Sequence, residues 1–271
     1  MKTISIFLPT GNPNGIKIVE LSNRLIKAIF VPRAMLNEAK ERKELSQPAL
    51  YVLCEKQGNT VYVGESENFF DRIKNHDQNK EFWDIAIAFV SKDNSLEKGD
   101  IKYLESVAIE QGTTAGRYIL ENKTIPLRNN LHEFKQAVVE EFFDDVKLVI
   151  AALGYPIFEK VSTEGKDESD YWYCSARGAE LVGIYDENGM TLLAGSKISE
   201  DVTDSYTGIS NRDDLIDELC EKTDKGLILK ENHTFTSPSG AAMFGIGRNT
   251  NGWTKWKNKE GKTLDEVIRA F

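Results

Sequence analysis

The chain alternates short apolar runs with polar turns, and stretches of helical periodicity separate these runs. Period-two alternation bounded by Gly, Pro or Asn predicts strands, whereas apolar positions three and four residues apart predict helices. In the first half, the predicted strands are Ile4–Leu8, Ile16–Leu21, Ile26–Val31, Ala49–Cys54, Val61–Gly64 and Phe82–Val90. The predicted helices there are Met35–Leu45, a helix from the N-cap Ser66 to His76, and Asp100–Gln111.

The second half repeats this mixture of helices and strands. A long helix is predicted from His132 to Gly154, and the polar, charged stretch Ser162–Asp170 is the best candidate for a linker. The strands predicted beyond it are Tyr171–Ser175, Glu180–Tyr185 and Met190–Leu193, followed by helices at Asp213–Glu221 and after Ser237. The pattern therefore predicts an α+β protein with four segments: a β-rich N-terminal lobe (1–48), a central unit (49–130), a helix and linker (131–170), and a C-terminal α+β domain (171–271).

Composition favours a globular protein of the cytoplasm. The 271 residues are 40% hydrophobic and 28% charged, which is typical of folded domains and unlike disordered or membrane-spanning chains. The apolar run near the start, Ile6 to Leu8, is too short for a signal peptide or a membrane span. The three cysteines, Cys54, Cys174 and Cys220, are far apart and form no CxxC motif, which argues against a disulfide framework and a structural zinc site.

The charge is distributed unevenly. The formal net charge of −9 argues, taken alone, against a nucleic-acid partner. Residues 126–224 contribute −13, however, whereas residues 1–48 contribute +4 and residues 225–262 contribute +5. Because salt confines the field of each patch to about 10 Å, the local excess of positive charge leaves polyanion binding open. Solvated lysine-rich faces are the alternative explanation.

Helical periodicity places polar side chains on or beside buried stripes. At about 100° per residue, Glu105 lies about 40° from Ile101, inside the apolar stripe of its helix. Arg72 and His76, four residues apart, flank the buried side of the preceding helix. A buried carboxylate must be paired, protonated or bound to a cation. Either Arg72 and Glu105 form one buried salt bridge with His76 in the core, or the three side chains belong to a functional site.

Two tyrosines extend this set. Tyr51 and Tyr62 lie in two predicted strands joined by a loop that contains Gly58-Asn59, so an antiparallel hairpin would bring their side chains near each other. Tyrosines in strands are usually packing residues. Two phenols, a guanidinium, an imidazole and a lone carboxylate can nevertheless form a metal-assisted phosphodiester site, with the carboxylate on Mg²⁺, the guanidinium on the phosphate and a phenolate as general base.

The order and spacing of these residues match a known pattern. The segments are Ala49-Leu50-Tyr51-Val52-Leu53, Tyr62-Val63-Gly64-Glu65-Ser66, Asn68-Phe69-Phe70-Asp71-Arg72-Ile73-Lys74-Asn75-His76 and Leu104-Glu105. With Asn122 downstream, they resemble the GIY-YIG nuclease family over residues 49 to about 125. The resemblance implies a small three-stranded antiparallel sheet flanked by helices, and an endonuclease that hydrolyses phosphodiester bonds in DNA with a divalent metal ion.

Roles follow from this resemblance position by position. It implies that Tyr51 and Tyr62 line the site, with one of them serving as or supporting the general base. It also implies that Arg72 contacts the scissile phosphate and that Glu105 binds Mg²⁺ or Mn²⁺. His76 takes the place of a family His or Tyr that forms a hydrogen bond near the nucleophile, and Asn122 supports the site from outside.

The chain departs from the family pattern at three places. The first motif contains Ala-Leu-Tyr instead of Gly-Ile-Tyr, and Val63 replaces Ile, but both changes keep the character of a strand. Glu65 stands where the repair-incision branch of the family carries a basic residue, so a negative charge replaces a positive one near the phosphate. This exchange leaves open which tyrosine is the base.

The C-terminal segment combines basic and aromatic residues. Its sequence from Tyr185 to Trp256 resembles a domain of unknown function that is appended to bacterial GIY-YIG and restriction-type proteins, which implies an accessory module. Basic residues interleaved with aromatic ones suit backbone neutralisation and base stacking. The candidate nucleic-acid contacts are Arg248, Asn251, Trp253, Lys255, Trp256 and Lys257. Alternatively, both tryptophans belong to the core and the lysines are merely solvated.

Two hypotheses about function follow. The first is a metal-dependent DNA endonuclease whose basic segments grip the duplex, with RNA open as a further substrate and a homodimer as one route to a double-strand break. The second is a non-catalytic nucleic-acid-binding or interaction protein on a decayed GIY-YIG scaffold, with Glu65 as an early sign of drift.

Overall fold

The computed structural model describes residues 1–56, 60–122, 124–159, 170–187, 189–209 and 212–269. These residues form two compact units, Met1–Glu159 and Lys160–Phe271. Both units combine helices with a sheet, which confirms the predicted α+β class. The predicted hairpin loop Gly58-Asn59 and residues 162–169 of the predicted linker lie outside the described residues.

The first unit is built on one seven-stranded sheet. Its strands are β1 (Ile4–Phe7), β2 (Lys17–Leu21), β3 (Ile26–Pro32), β4 (Ala49–Cys54), β5 (Thr60–Ser66), β6 (Ile85–Ser91) and β7 (Ile119–Leu120). Their order across the sheet is β1-β2-β3-β6-β4-β5-β7, and only the short β7 runs parallel to its neighbour β5. The strands of segment 1–48 and those of segment 49–130 thus belong to the same sheet, because β3 pairs with β6 along seven residues of each strand.

Helices cover both faces of this sheet. They are α1 (Leu36–Ala39), α2 (Phe69–Asn79), α3 (Lys98–Ala115) and α4 (Glu133–Ala152). One buried cluster joins α3 and α4 to one face of the sheet, and a second cluster joins α1 and α2 to the other face. Tyr51 belongs to the α2 face and its neighbour Val52 to the opposite face, as the period of two in a strand requires.

The single helix predicted at Met35–Leu45 is wrong. The chain forms two 3-10 turns, Arg33–Met35 and Lys43–Ser46, on either side of the one-turn helix α1. Ala39 and Leu45 are both buried in the same cluster. Six residues of continuous helix would place them about 120° apart, so burying both against one face breaks the helix between them.

The start of α2 also differs from the prediction. Ser66 ends β5, and the N-cap is Asn68, whose side-chain oxygen accepts a hydrogen bond from the Asp71 backbone N–H at 3.3 Å. Ser66 instead accepts from the backbone N–H of Asn68 at 3.2 Å. Ser and Asn are similarly good N-caps, so residue type alone does not distinguish the two positions. The shift of the N-cap leaves the placement of Arg72 and His76 on α2 unchanged.

The second unit also contains a seven-stranded sheet. Its strands are β8 (Tyr171–Ala176), β9 (Ala179–Asp186), β10 (Gly189–Leu192), β11 (Lys197–Ile198), β12 (Cys220–Thr223), β13 (Gly226–Leu229) and β14 (His233–Phe235). Its helices are α5 (Arg212–Leu219), α6 (Pro238–Ile246), α7 (Gly252–Lys255) and α8 (Leu264–Ile268). Ser237 caps α6 by accepting from Gly240 N–H, as the sequence predicts. Among the described residues, no helix combines the length and the apolar character that spanning a membrane requires.

Candidate active site

Gly64 provides the space for one of the two tyrosines. In the β4–β5 pair Tyr51 lies directly opposite Gly64, and Leu53 lies opposite Tyr62. Tyr51 and Tyr62 therefore share one face of the sheet, with ring centroids 6.2 Å apart, which confirms the predicted proximity. A Cβ on residue 64 would lie 2.3 Å from the Tyr51 hydroxyl oxygen. Only glycine permits the Tyr51 ring to cross β5 at this point.

Helix α2 brings Arg72 and His76 to the Tyr51 hydroxyl. The Arg72 Nε–H donates a hydrogen bond to the Tyr51 oxygen at 3.2 Å, and the Tyr51 oxygen lies 2.7 Å from His76 Nε2. Because arginine can only donate, the Tyr51 oxygen accepts from Arg72, and its own proton is available for His76. The three side chains thus form a directed chain of hydrogen bonds from Arg72 through Tyr51 to His76.

Burial determines the protonation states of Tyr51 and His76 in this chain of hydrogen bonds. His76 is 6% exposed, and burial together with the charges of Arg72 and Lys80 lowers its pKa to about 4. Its imidazole is therefore neutral near pH 7 and can accept a hydrogen bond from the Tyr51 hydroxyl. Burial also raises the pKa of Tyr51 well above its ordinary value of 10.0, although Arg72 opposes this shift. Tyr51 consequently holds its proton in the resting site.

Tyr62 is the tyrosine that solvent can reach. It is partly exposed, whereas Tyr51 is fully buried. The Tyr62 ring packs at 5.3 Å from the His76 ring. Both phenols raise the pKa of the exposed Arg72 guanidinium above its ordinary value. Arg72 and Tyr62 therefore form the accessible part of the cluster, and Tyr51 and His76 form its buried part.

Glu105 approaches the same region from the other face of the sheet. It lies on α3, which packs along β5. Burial and then the charge of Glu65 raise its pKa to about 7, while a hydrogen bond with the Glu65 backbone and the charge of Arg72 oppose the shift. The carboxyl group thus lies beside the end of β5, close enough to Arg72 to sense its charge.

The alternative of a buried salt bridge is not the observed arrangement. Among the described residues, the side-chain hydrogen bonds of Arg72 go to phenol groups, and Arg72 acts on Glu105 only through its charge. A half-buried carboxylate whose pKa is raised by burial is a group whose ionised form a cation would stabilise. Glu105 therefore fits the role of a metal ligand.

The donor set suits a hard divalent cation. No three His, Cys, Asp or Glu side chains converge within the part of the chain that the structure describes. Mg²⁺ commonly binds one or two carboxylates and takes its remaining ligands from water and substrate phosphates. A single carboxylate at Glu105 matches this pattern of ligands.

Asn122 takes the place of a neighbouring strand. Its side-chain oxygen accepts from the Val63 N–H at 2.9 Å, and its side-chain amide donates to the Val63 carbonyl at 2.8 Å. One amide side chain thus forms both hydrogen bonds that a strand partner would form with Val63. This clamp holds β5 at Val63, between Tyr62 and Gly64.

The family comparisons agree with this geometry. Residues 47–135 match the family model of the GIY-YIG catalytic domain. The chain contains a GIY-YIG domain. Residues 172–268 match the domain of unknown function DUF4357, so the order of the two domains predicted from sequence is confirmed. No curated protein and no solved structure matches the chain.

The GIY-YIG match supports a function of the nuclease type, and nucleases of this superfamily generally use divalent metal ions. It spans the hairpin, α2, α3 and Asn122, which together carry the described cluster.

Two residues of this region were not identified from the sequence as contributors to the site. Gly64 was noted only as part of a motif, and Lys80 was not noted at all. A glycine inside a strand is itself a signal of close approach by another group, whereas no sequence signal identified Lys80.

In the DUF4357 unit, most of the candidate nucleic-acid contacts are exposed, but one is buried. Arg248, Asn251, Lys255 and Lys257 are exposed. Trp256 is fully buried, and its indole N–H donates to the Pro238 carbonyl at 2.9 Å. Because a buried indole cannot stack on a base, the assignment of Trp256 to a nucleic-acid surface is corrected: it is a core residue.

Trp253 is partly exposed, but a neighbouring side chain already covers one face of its ring. The Arg269 guanidinium lies 3.5 Å from the Trp253 ring centroid, and the Tyr185 ring meets it edge-on at 5.4 Å. A base that stacks on the same face would have to displace Arg269. The exposed basic side chains are therefore the better candidates for contact with a polyanion.

An Asn122→Ala variant should expose the Val63 amide. Loss of the clamp removes hydrogen bonds worth about 1–3 kcal/mol, so hydrogen exchange at Val63 N–H should accelerate about 10–100-fold. Asn122→Asp retains an acceptor and should keep this amide protected. Equal exchange at Val63 in the natural chain and in Asn122→Ala would contradict the clamp.

Proposed function

We propose that the chain is a divalent-metal-dependent endonuclease that hydrolyses phosphodiester bonds in DNA. The observation that carries this proposal is that Arg72 interacts with both Tyr62 and Glu105. The exposed guanidinium contacts a partly exposed phenol and acts through its charge on a carboxylate beside the end of β5 that, within the described part of the chain, forms no salt bridge. A phosphodiester site needs these groups to neutralise charge, move a proton and hold a metal ion.

Each side chain receives a role that its surroundings support. Arg72 binds the scissile phosphate and neutralises the charge that grows on it during attack. Tyr62, the accessible tyrosine, acts in its phenolate form as the general base and takes the proton of the attacking water. Glu105 would hold Mg²⁺ or Mn²⁺, and the bound ion would supply electrostatic stabilisation of the leaving oxygen.

The two buried side chains, Tyr51 and His76, orient the accessible side chain of Arg72. Tyr51 is too enclosed to reach water, so we assign it to orienting the Arg72 side chain through its hydroxyl oxygen. Neutral His76 accepts a hydrogen bond from the Tyr51 hydroxyl, which leaves the oxygen lone pairs directed at Arg72. Asn122 keeps β5 in register beneath these groups.

The second unit contributes to nucleic-acid binding in this proposal. Exposed Arg248, Lys255 and Lys257 contact the phosphate backbone, with Asn251 and Trp253 at the margin of this surface. With one catalytic cluster per chain, a double-strand break requires a homodimer or two successive nicks. We place the protein in the bacterial cytoplasm.

Cleavage assays on supercoiled plasmid, linear duplex, single-stranded DNA and structured RNA test the proposal, with Mg²⁺, Mn²⁺ or a chelator. Arg72→Gln should lower the metal-dependent rate about 10²–10³-fold, the usual cost of removing a transition-state charge contact. Lys74→Gln, on the exposed side of the same helix, should cleave like the natural chain. Equal rates for the two variants would refute the assigned role of Arg72.

The decayed-scaffold hypothesis predicts a different result from the same samples. Salt-dependent retardation of DNA without cleavage of any substrate under either metal would identify a binding protein. Glu65 is the feature that favours this hypothesis, because its charge helps to raise the pKa of Glu105 and so disfavours the ionised ligand.

A further inference from the structure

Lys80, the residue that follows α2, lies against Tyr62. Its ammonium nitrogen is 4.4 Å from the centroid of the Tyr62 ring and 3.3 Å from a carboxylate oxygen of Glu121. Its backbone N–H donates to the His76 carbonyl at 2.8 Å, which fixes the start of the side chain. The Lys80 side chain is only 21% exposed, so its charge is satisfied by the ring and the carboxylate.

The partner of Lys80 belongs to the segment that holds β5. Glu121 donates its backbone N–H to the Val61 carbonyl at 2.8 Å, and Asn122 clamps Val63. Both main-chain neighbours of Tyr62 are thus fixed by residues 121 and 122. The Glu121 carboxylate adds a third restraint, because it holds the ammonium that lies over the Tyr62 ring.

We propose that Lys80, anchored by Glu121, is a positioning residue for Tyr62. A cation within about 6 Å of a ring centroid attracts the face of the ring, and this attraction restrains a phenol that is otherwise partly open to solvent. The inference rests on the proposed function, in which Tyr62 must point at the attacking water. Small misplacements of a catalytic group cost rate rather than substrate affinity.

Direct contact between Lys80 and a DNA phosphate is the competing role. A phosphate-binding lysine presents a free ammonium to solvent, whereas Lys80 is already neutralised by Glu121 and covered by Tyr62 and Phe82. The arrangement favours positioning.

The first test does not depend on activity. The Tyr62 signal in ¹⁹F NMR spectra of 3-fluorotyrosine-labelled protein is identified by its loss in Tyr62→Phe. It should shift in Lys80→Met and return towards its original position in Lys80→Arg, which keeps the cation. Lys74→Met is the matched control, because Lys74 lies 4.7 Å from the Phe70 ring centroid on the same helix. An unmoved Tyr62 signal in a folded Lys80→Met variant would overturn the proposal.

The second test separates the two roles of Lys80. In single-turnover cleavage with saturating DNA, Lys80→Met should lose about tenfold in rate, with the salt dependence of DNA binding unchanged. A salt slope lowered by about one, with an unchanged rate, would instead assign Lys80 to a phosphate and reject positioning. If the natural chain cleaves nothing, the proposed function fails, while the fluorine signals still decide whether Lys80 positions Tyr62.

Discussion

A Glu105→Gln variant is expected to lose about 10³-fold or more of the proposed metal-dependent cleavage rate, because an ion held by Glu105 would be worth several kcal/mol of transition-state stabilisation. Glutamine keeps an oxygen that can accept the hydrogen bond with the Glu65 backbone but removes the charge that a cation needs. Alanine would confound the loss of the ligand with the loss of this bond.

The same variant should be more stable than the natural chain at alkaline pH without metal. The pKa of Glu105 rises from its ordinary value of 4.5 to about 7 in the folded protein. Between these values the folded state retains a proton that the unfolded chain releases, so the contribution of Glu105 to stability falls as the pH rises. Discounted for solvent screening, the gain for glutamine is about 1 kcal/mol, or about 2–4 °C in melting temperature.

Calorimetry at pH 5 and pH 8, with a chelator or with Mg²⁺, measures this effect. The difference between Glu105→Gln and the natural chain should appear at pH 8 and nearly vanish at pH 5. Mg²⁺ should stabilise only the natural chain, and more strongly above pH 7, because protons compete for the same carboxylate. Glu110 is an exposed residue of the helix that carries Glu105 and pairs with Arg128, so Glu110→Gln should cleave normally. A Glu105→Gln enzyme with full activity would remove Glu105 from the site.

Gly64→Ala is expected to cause the second large effect, a fall in cleavage of about 100-fold or more together with a loss of about 1–3 kcal/mol of stability. The added Cβ would lie 2.3 Å from the Tyr51 oxygen and 2.4 Å from its Cζ. The Tyr51 ring is fully buried, so it must shift against packed neighbours. That shift would break the hydrogen bonds of Tyr51 with Arg72 and His76.

Gly99→Ala provides a matched control. Gly99 lies in the first turn of α3, and its nearest neighbour to an added Cβ is 3.4 Å away. Alanine there should be neutral or stabilising, because glycine costs about 1 kcal/mol in a helix. Single-turnover cleavage and denaturant unfolding compare the two variants. Normal cleavage by Gly64→Ala would show that the position of the Tyr51 hydroxyl does not matter.

The proximity of the candidate site residues could be predicted because its signals are local. A hairpin places Tyr51 and Tyr62 on one face, and a helical turn places Arg72 and His76 side by side. The position of Glu105 in an apolar stripe likewise required only the period of a helix. These patterns depend on residues within one element or one short connection.

The features that the sequence did not predict depend on long-range contacts or on very short elements. Pairing of β3 with β6 joins Ile29 to Ala88 across the sequence, and alternation within a strand does not identify its partner. Trp256 follows the four-residue helix α7, which is too short for a periodicity that separates buried from exposed positions. Lys80 acts through Glu121, a partner that the chain brings close only by folding.

On the side of β5 that faces away from β4, three hydrogen-bonding contacts to its backbone affect the risk of aggregation. An open sheet edge invites strands from other chains. At Val61, Val63 and Glu65 in turn, the backbone bonds to Glu121, to the Asn122 side chain and to Glu105. These contacts therefore occupy the edge that an incoming strand would need and leave Arg72 and Tyr62 accessible, so an open candidate site need not also be a template for fibres.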